Sequence, residues 1–130
     1  MSKTDKFEIF VNPSGFIEQK FIGNQTPKSV TDGVDQLIKL VRKLHDQKKQ
    51  VLVLVDITGV PKITNSDAMR GARRSMVKSM KEEPYNRIAV YGDMATQVLV
   101  NTMALIAGKR NKIRVFDNRI DALKWLKAKG

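Results

Sequence analysis

The sequence predicts an α/β fold: a mixed, mostly parallel sheet of about five strands with four helices, in the order β-β-α-β-α-β-α-β-α. Three observations point there. The apolar pattern switches repeatedly between a period of two and one near four, which marks alternating strands and helices. The valine-rich run 51–55 is apolar throughout, as a strand covered on both faces is. Proline, glycine and asparagine fall where the period changes. A length of 130 residues suits one domain, 1–130.

Each element has its own signal. Phe7, Ile9 and Val11 alternate with Glu8 and Phe10 as a half-buried strand. Asn12-Pro13-Ser14-Gly15 is turn chemistry, and residues 16–22 complete a hairpin. From 30 to 48, Val30, Val34, Leu37, Leu40, Val41 and Leu44 form one helical stripe. Residues 51–55, Val-Leu-Val-Leu-Val, read as a buried central strand ending at Asp56. A loop follows, and a second helix covers 66–83, with Met69, Ala72, Met76 and Met80 on its apolar stripe and Pro84 beyond its end. Residues 87–91 are another buried strand. A third helix fills 94–107 and stops at Gly108. Residues 113–116 form the last strand. Residues 118–129 form the closing helix, with Ile120, Leu123 and Leu126 expected to face inward and Trp125 beside them. Strand–helix alternation after the hairpin implies parallel strands joined by right-handed crossovers.

Composition removes several chemistries. There is no cysteine, so no disulfide framework, thiolate metal site or cysteine nucleophile. The lone histidine, His45, cannot build a multi-histidine centre, and it reads as a solvated residue at a helix end. No stretch approaches the ~20 apolar residues of a membrane span. The first residues carry no apolar signal segment, so a cytoplasmic location is expected.

Three carboxylates, Asp56, Asp93 and Asp117, stand just past strands. Ligands of open parallel sheets bind at those ends, and three acids there would suit Mg2+. Aspartate is also favoured wherever a strand turns into a helix, as a cap or turn former. The spacings of known acid-based motifs are absent, as are glycine-rich phosphate loops and a nucleophile elbow. No catalytic residue, metal or cofactor is therefore assigned.

The charge needs a partner. Lys and Arg number 24 against 13 Asp and Glu, a formal net charge of +11. Such an excess favours acidic proteins, polyanions or anionic surfaces. Arg70, Arg74 and Lys78 are spaced by four and share one ridge of the second helix, with Arg73 and Lys81 close by. No aromatic residue is interleaved with the cations between 62 and 81, which disfavours nucleic acid. The third helix carries no charge from 94 to 107. A helix apolar all round is buried on both sides, forms a dimer, or walls a lipophilic ligand. Met94, Val98, Leu99, Met103 and Ile106 are the candidate ligand-wall residues.

The order of elements and four local motifs resemble the STAS superfamily, and within it the SpoIIAA-like branch, which is also compared with Sec14-type lipid-binding domains. The residues that carry the resemblance are 53–60 (Val-Leu-Val-Asp-Ile-Thr-Gly-Val), 87–93 (Arg-Ile-Ala-Val-Tyr-Gly-Asp), 113–117 (Ile-Arg-Val-Phe-Asp) and 122–126 (Ala-Leu-Lys-Trp-Leu). The resemblance implies a regulatory or binding domain rather than an enzyme. In anti-sigma-antagonist members, a serine at the start of the helix after the central strand is phosphorylated, within an Asp-Ser-Ser-Gly pattern. This chain has Thr64-Asn65-Ser66-Asp67 there, so the family's phosphorylated serine falls on Asn65 and its second serine on Ser66. Ser66 is the candidate phosphosite, and its plain alternative is a helix N-cap.

The expected function is a non-catalytic module that docks an acidic protein partner through the loop 58–66 and the basic face of the next helix. Thr58, Asn65, Ser66, Arg70, Arg73, Arg74 and Lys78 are the expected contacts. The alternative is a carrier or sensor of a lipophilic small molecule held against helix 94–107.

Overall fold

A computed structural model describes residues 2–3, 6–60 and 69–128. Six strands form one sheet: β1 (Ser2–Lys3), β2 (Phe7–Val11), β3 (Ile17–Ile22), β4 (Leu52–Gly59), β5 (Arg87–Tyr91) and β6 (Ile113–Phe116). Four helices complete the fold: α1 (Pro27–Asp46), α2 (Arg70–Glu82), α3 (Met94–Ala107) and α4 (Arg119–Lys127). The fold class and element order expected from the sequence are those observed. The added strand, β1, pairs antiparallel with β2 through Ser2 opposite Ile9 and Lys3 opposite Glu8. Two residues are too few to display a period, so no pattern announced it.

The strands lie in sequence order, β1 to β6. β2 and β3 form the antiparallel hairpin, and β3, β4, β5 and β6 are parallel. Strands added in one direction by crossovers of one hand place their connecting helices on one face. The core follows this rule. Val53, Ile88, Val90 and Ile113 pack with Leu37, Val41, Val100 and Met103 of α1 and α3. Alternate residues of the same strands, Leu54, Ala89 and Tyr91, pack with Ala122 and Leu126 of α4 on the opposite face. The period of two in a strand sorts side chains between these layers. It also explains why β4 and β5 read as unbroken apolar runs.

Local chemistry sets the helix ends. α1 starts three residues before the stripe's first apolar residue, because Thr26 and Ser29 form a capping box and Pro27 opens the helix. The Ser29 amide donates to Thr26 Oγ1 at 3.1 Å, and the Thr26 amide donates to Ser29 Oγ at 2.9 Å. Asp93 caps α3 by accepting from the Thr96 amide at 2.9 Å, and Gly108 ends it in the left-handed region. Ile120 does not face inward as its place in the closing helix suggested. It is 72% exposed in the first turn of α4, where Ala122 and Leu126 supply the buried contacts instead.

Candidate functional site

α2 rests mainly on α1 and α3 rather than on the strands beneath it. Only Ala72 and Ser79 of its residues are fully buried. Its attachment is lateral: the Arg42 guanidinium of α1 donates from Nε and Nη2 to both oxygens of Glu83, at 2.9 and 3.0 Å, just past the end of α2. A helix held from its sides above a sheet leaves space below it. That space is a cavity of about 150 Å3, floored by Val55, Ile57, Ile88 and Val90 and walled by the three helices.

The lining is overwhelmingly apolar. Four of the chain's six methionines, Met69, Met76, Met80 and Met103, border the cavity. Methionine is flexible and polarisable, and it suits walls that adapt to their contents. The polar side chains around the cavity are engaged. Gln19 donates from Nε2 to the Gly33 carbonyl at 2.9 Å. The hydroxyls of Ser79 and Tyr85 share a hydrogen bond of 2.6 Å. Thr96 donates from Oγ1 to Asp93 Oδ1 at 2.6 Å. Among the described residues, no buried side-chain nitrogen or oxygen lacks a partner. Burial pushes the Tyr85 phenol up to about 12, the effect of a dry, low-dielectric surround.

The predicted ligand-wall residues separate. Leu99 and Met103 line the cavity. Met94 and Val98 do not: they are 70% and 59% exposed on the outer face of α3. Ile106 is 67% exposed and lines a shallow groove over the α2–α3 seam instead. The uncharged α3 is thus buried on one face through Thr96, Val100, Met103, Ala104 and Ala107, not on two. A sequence without charges cannot distinguish the inward face from the outward one, because the polarity contrast that normally marks them is missing.

The predicted docking residues fare differently. Arg70, Arg74 and Lys78 are exposed on one ridge of α2. Arg73 is half-buried and borders both the cavity and the groove. Thr58 is exposed, with its amide and Oγ1 donating to Asp56 Oδ1 at 2.9 and 2.6 Å. Asn65 and Ser66 lie outside the described residues, as does the expected N-terminal cap of the second helix. The described helix begins at Arg70, with Met69 before it making no side-chain cap bond.

The three carboxylates serve the backbone and its neighbours. Asp56 does not end its strand as expected: β4 continues to Gly59, and Asp56 accepts from the Thr58 amide and hydroxyl two residues on. Asp93 caps α3, and the Thr96 hydrogen bonds hold its carboxyl below the ordinary value. Asp117 accepts from Gln97 Nε2 at 2.9 Å. Among the described residues, no three His, Cys, Asp or Glu side chains stand together as a metal site.

Sequence reasoning missed much of the wall, including Gln19, Val30, Val34 and Tyr85. Each reads as an ordinary core residue. The available signal was the methionine concentration on the second and third helices.

Comparison with known proteins agrees with this architecture. A crystal structure of a protein from the DUF3478 family with a SpoIIAA-like fold, from Shewanella loihica PV-4, is similar to this chain. Its TM-score is 0.63 at 19% sequence identity, over 97% of this chain and 98% of that one. At that identity the likeness concerns the fold. No curated protein matches the chain. The SpoIIAA-like family model matches residues 16–127, from the end of the hairpin turn to the end of α4, and the chain belongs to the SpoIIAA-like family.

Proposed function

We propose that this protein is a non-catalytic binding domain that holds a small lipophilic molecule in the cavity between α2 and the sheet. The observation that carries this reading is the cavity of about 150 Å3, walled by apolar groups and engaged polar ones. A cavity of roughly that size lined by apolar side chains stays dry and accepts a benzene-sized guest. Membership of a family often involved in regulation and protein interaction supports a sensing role, in which ligand occupancy alters the surface presented by α2.

Thermal unfolding with a small apolar probe such as toluene tests the reading. Selective binding to the folded state raises Tm in proportion to the logarithm of occupancy. The expected result is a saturable rise in Tm, with chemical-shift changes at Val34, Ile88 and Met103. No rise, or shifts confined to the outer face of α3, would overturn it.

A second reading is favoured by the exposed ridge of Arg70, Arg74 and Lys78: docking of an acidic protein partner on α2. Its test is salt-sensitive capture of such a partner by the wild type, lost on reversing the three charges. Capture that survives the reversal would sink it.

A further inference from the structure

The outer face of α3 is apolar and stands open. Met94, Val98 and Leu105 are 70%, 59% and 60% exposed, and Asn101 is exposed among them. Their spacing is four, three, four, the repeat of a coiled-coil seam. On a helix of about 3.6 residues per turn the four lie within roughly 60° of one another.

We propose that this face joins two copies of the chain. Their α3 helices pack antiparallel about a twofold axis that passes between Val98 and Asn101. Met94 of each copy then meets Leu105 of the other, and Val98 meets Asn101. The cavity plays no part in this contact, because Leu99, Val100 and Met103 border it from the inner side of the helix. Three observations select a second copy.

The first is net charge. A chain carrying +11 repels its own copy wherever cations face cations. Residues 94–107 carry no charge at all, so two α3 helices meet without that cost.

The second is the sign of the charges at the two ends. α3 starts beside two exposed carboxylates: Asp93 at its N-cap, and Asp117, which accepts from Gln97 at the end of its first turn. It is followed by Lys109, Arg110 and Lys112. Antiparallel packing brings the acidic end of each helix toward the basic end of the other, twice. Parallel packing sets like against like. The helix dipoles favour the same orientation.

The third is the symmetry of the seam. A twofold contact requires residue i to meet j and j to meet i. Met94 and Leu105 are equally far along the chain from the midpoint between Val98 and Asn101, so both pairs come into register together. A single polar residue in such a seam, here Asn101, costs stability and fixes register.

The contact is one helix of 14 residues, about 21 Å long. That is at the small end of stable interfaces, so the dimer should form at about 10–100 µM protein. Sedimentation equilibrium of the full chain tests it. At about 0.15 M salt the Debye length of ~8 Å screens long-range repulsion and leaves close contacts in place. The expected result is a reversible monomer–dimer equilibrium. Leu105→Glu, at an exposed position, should weaken it about tenfold or more without changing the circular dichroism of the monomer.

A charge exchange reads the orientation. Lys109→Glu with Arg110→Glu turns the basic end acidic, and Ala95→Lys with Asp117→Lys turns the acidic end basic. Each double variant alone should dimerise about fivefold more weakly than the wild type, and their equimolar mixture should form a heterodimer of near wild-type affinity. That rescue also shows that both variants are folded.

A wild type that stays monomeric at about 100 µM would overturn the proposal, whether or not the face then takes up phosphatidylglycerol vesicles. So would a dimer that Leu105→Glu leaves intact, or a mixture of the two charge variants that associates no better than either alone.

Discussion

Arg87 closes the end of α4 around Trp125. Its Nη1 donates to the carbonyl oxygens of Trp125 and Ala128 at 2.6 and 2.8 Å, and its Cζ stands 5.2 Å from the indole ring centre. Arg114 lies over the same ring at 5.5 Å. The last carbonyls of a helix have no partner within it, so a cation that donates to them offsets a real deficit. Arg87→Lys keeps the charge but loses the planar fork and its stacking. A loss of about 1–2 kcal/mol is expected, read from the urea midpoint.

The hydroxyl pair of Ser79 and Tyr85 makes a second prediction, on the alkaline side. The folded-state phenol ionises at about 12 against an ordinary value of 10.0, chiefly because of burial. A raised value means that the contribution to stability is fully present below pH 10 and is lost as pH rises through 12. The wild type should lose roughly 2–3 kcal/mol relative to Tyr85→Phe over that window. Urea unfolding of both proteins at pH 9 and pH 12 measures it, and parallel behaviour would refute it.

Asp93 makes the acid-side counterpart. Its carboxyl is held below the ordinary 3.8 by hydrogen bonds from the Thr96 side chain and amide. The stabilisation is present above 3.8 and disappears as pH falls through the lowered value. Asp93→Asn preserves an acceptor for the cap without titrating. The gap in Tm between the two proteins should shrink on acidification below pH 3.8.

Gly92 is needed for closeness. A Cβ there would lie 2.4 Å from Ile57 Cγ1 and 2.9 Å from Ile57 Cδ1. Gly92→Ala should cost about 1–3 kcal/mol, because Ile57 is buried and stiff at its first torsion. The same substitution in an Ile57→Ala background should cost less, and a double-mutant cycle reads the coupling.

Filling or emptying the cavity should have opposite signs. Met103→Ala enlarges it and should cost about 2–4 kcal/mol in urea. An apolar guest that occupies the added space should recover part of that loss, as a larger ligand-induced rise in Tm than the wild type shows.

Much of the architecture was legible in the chain. Val53, Val55 and Ile57 alternate with Leu52 and Leu54, and Ile88 and Val90 with Ala89 and Tyr91. Each residue carries its partition between two layers as a period of two. The α1 stripe of Val30, Val34, Leu37, Val41 and Leu44 is buried as its spacing demands. The basic ridge of Arg70, Arg74 and Lys78 is exposed as its charge demands. These are properties of residues a few positions apart, and local geometry converts spacing into facing.

The cavity lay beyond that reach. That Arg73 and Met103 would meet at one edge, while Met94 and Val98 turned outward, depends on where α2 and α3 come to rest. Crossover handedness places the three helices together, and lateral contacts such as Arg42 with Glu83 hold α2 beside α1. The sequence by itself determined the elements, their order and the faces that carry a polarity contrast. Only the tertiary structure decided how far α2 stands above the strands, because an empty volume is bounded by residues from distant segments and has no periodicity of its own.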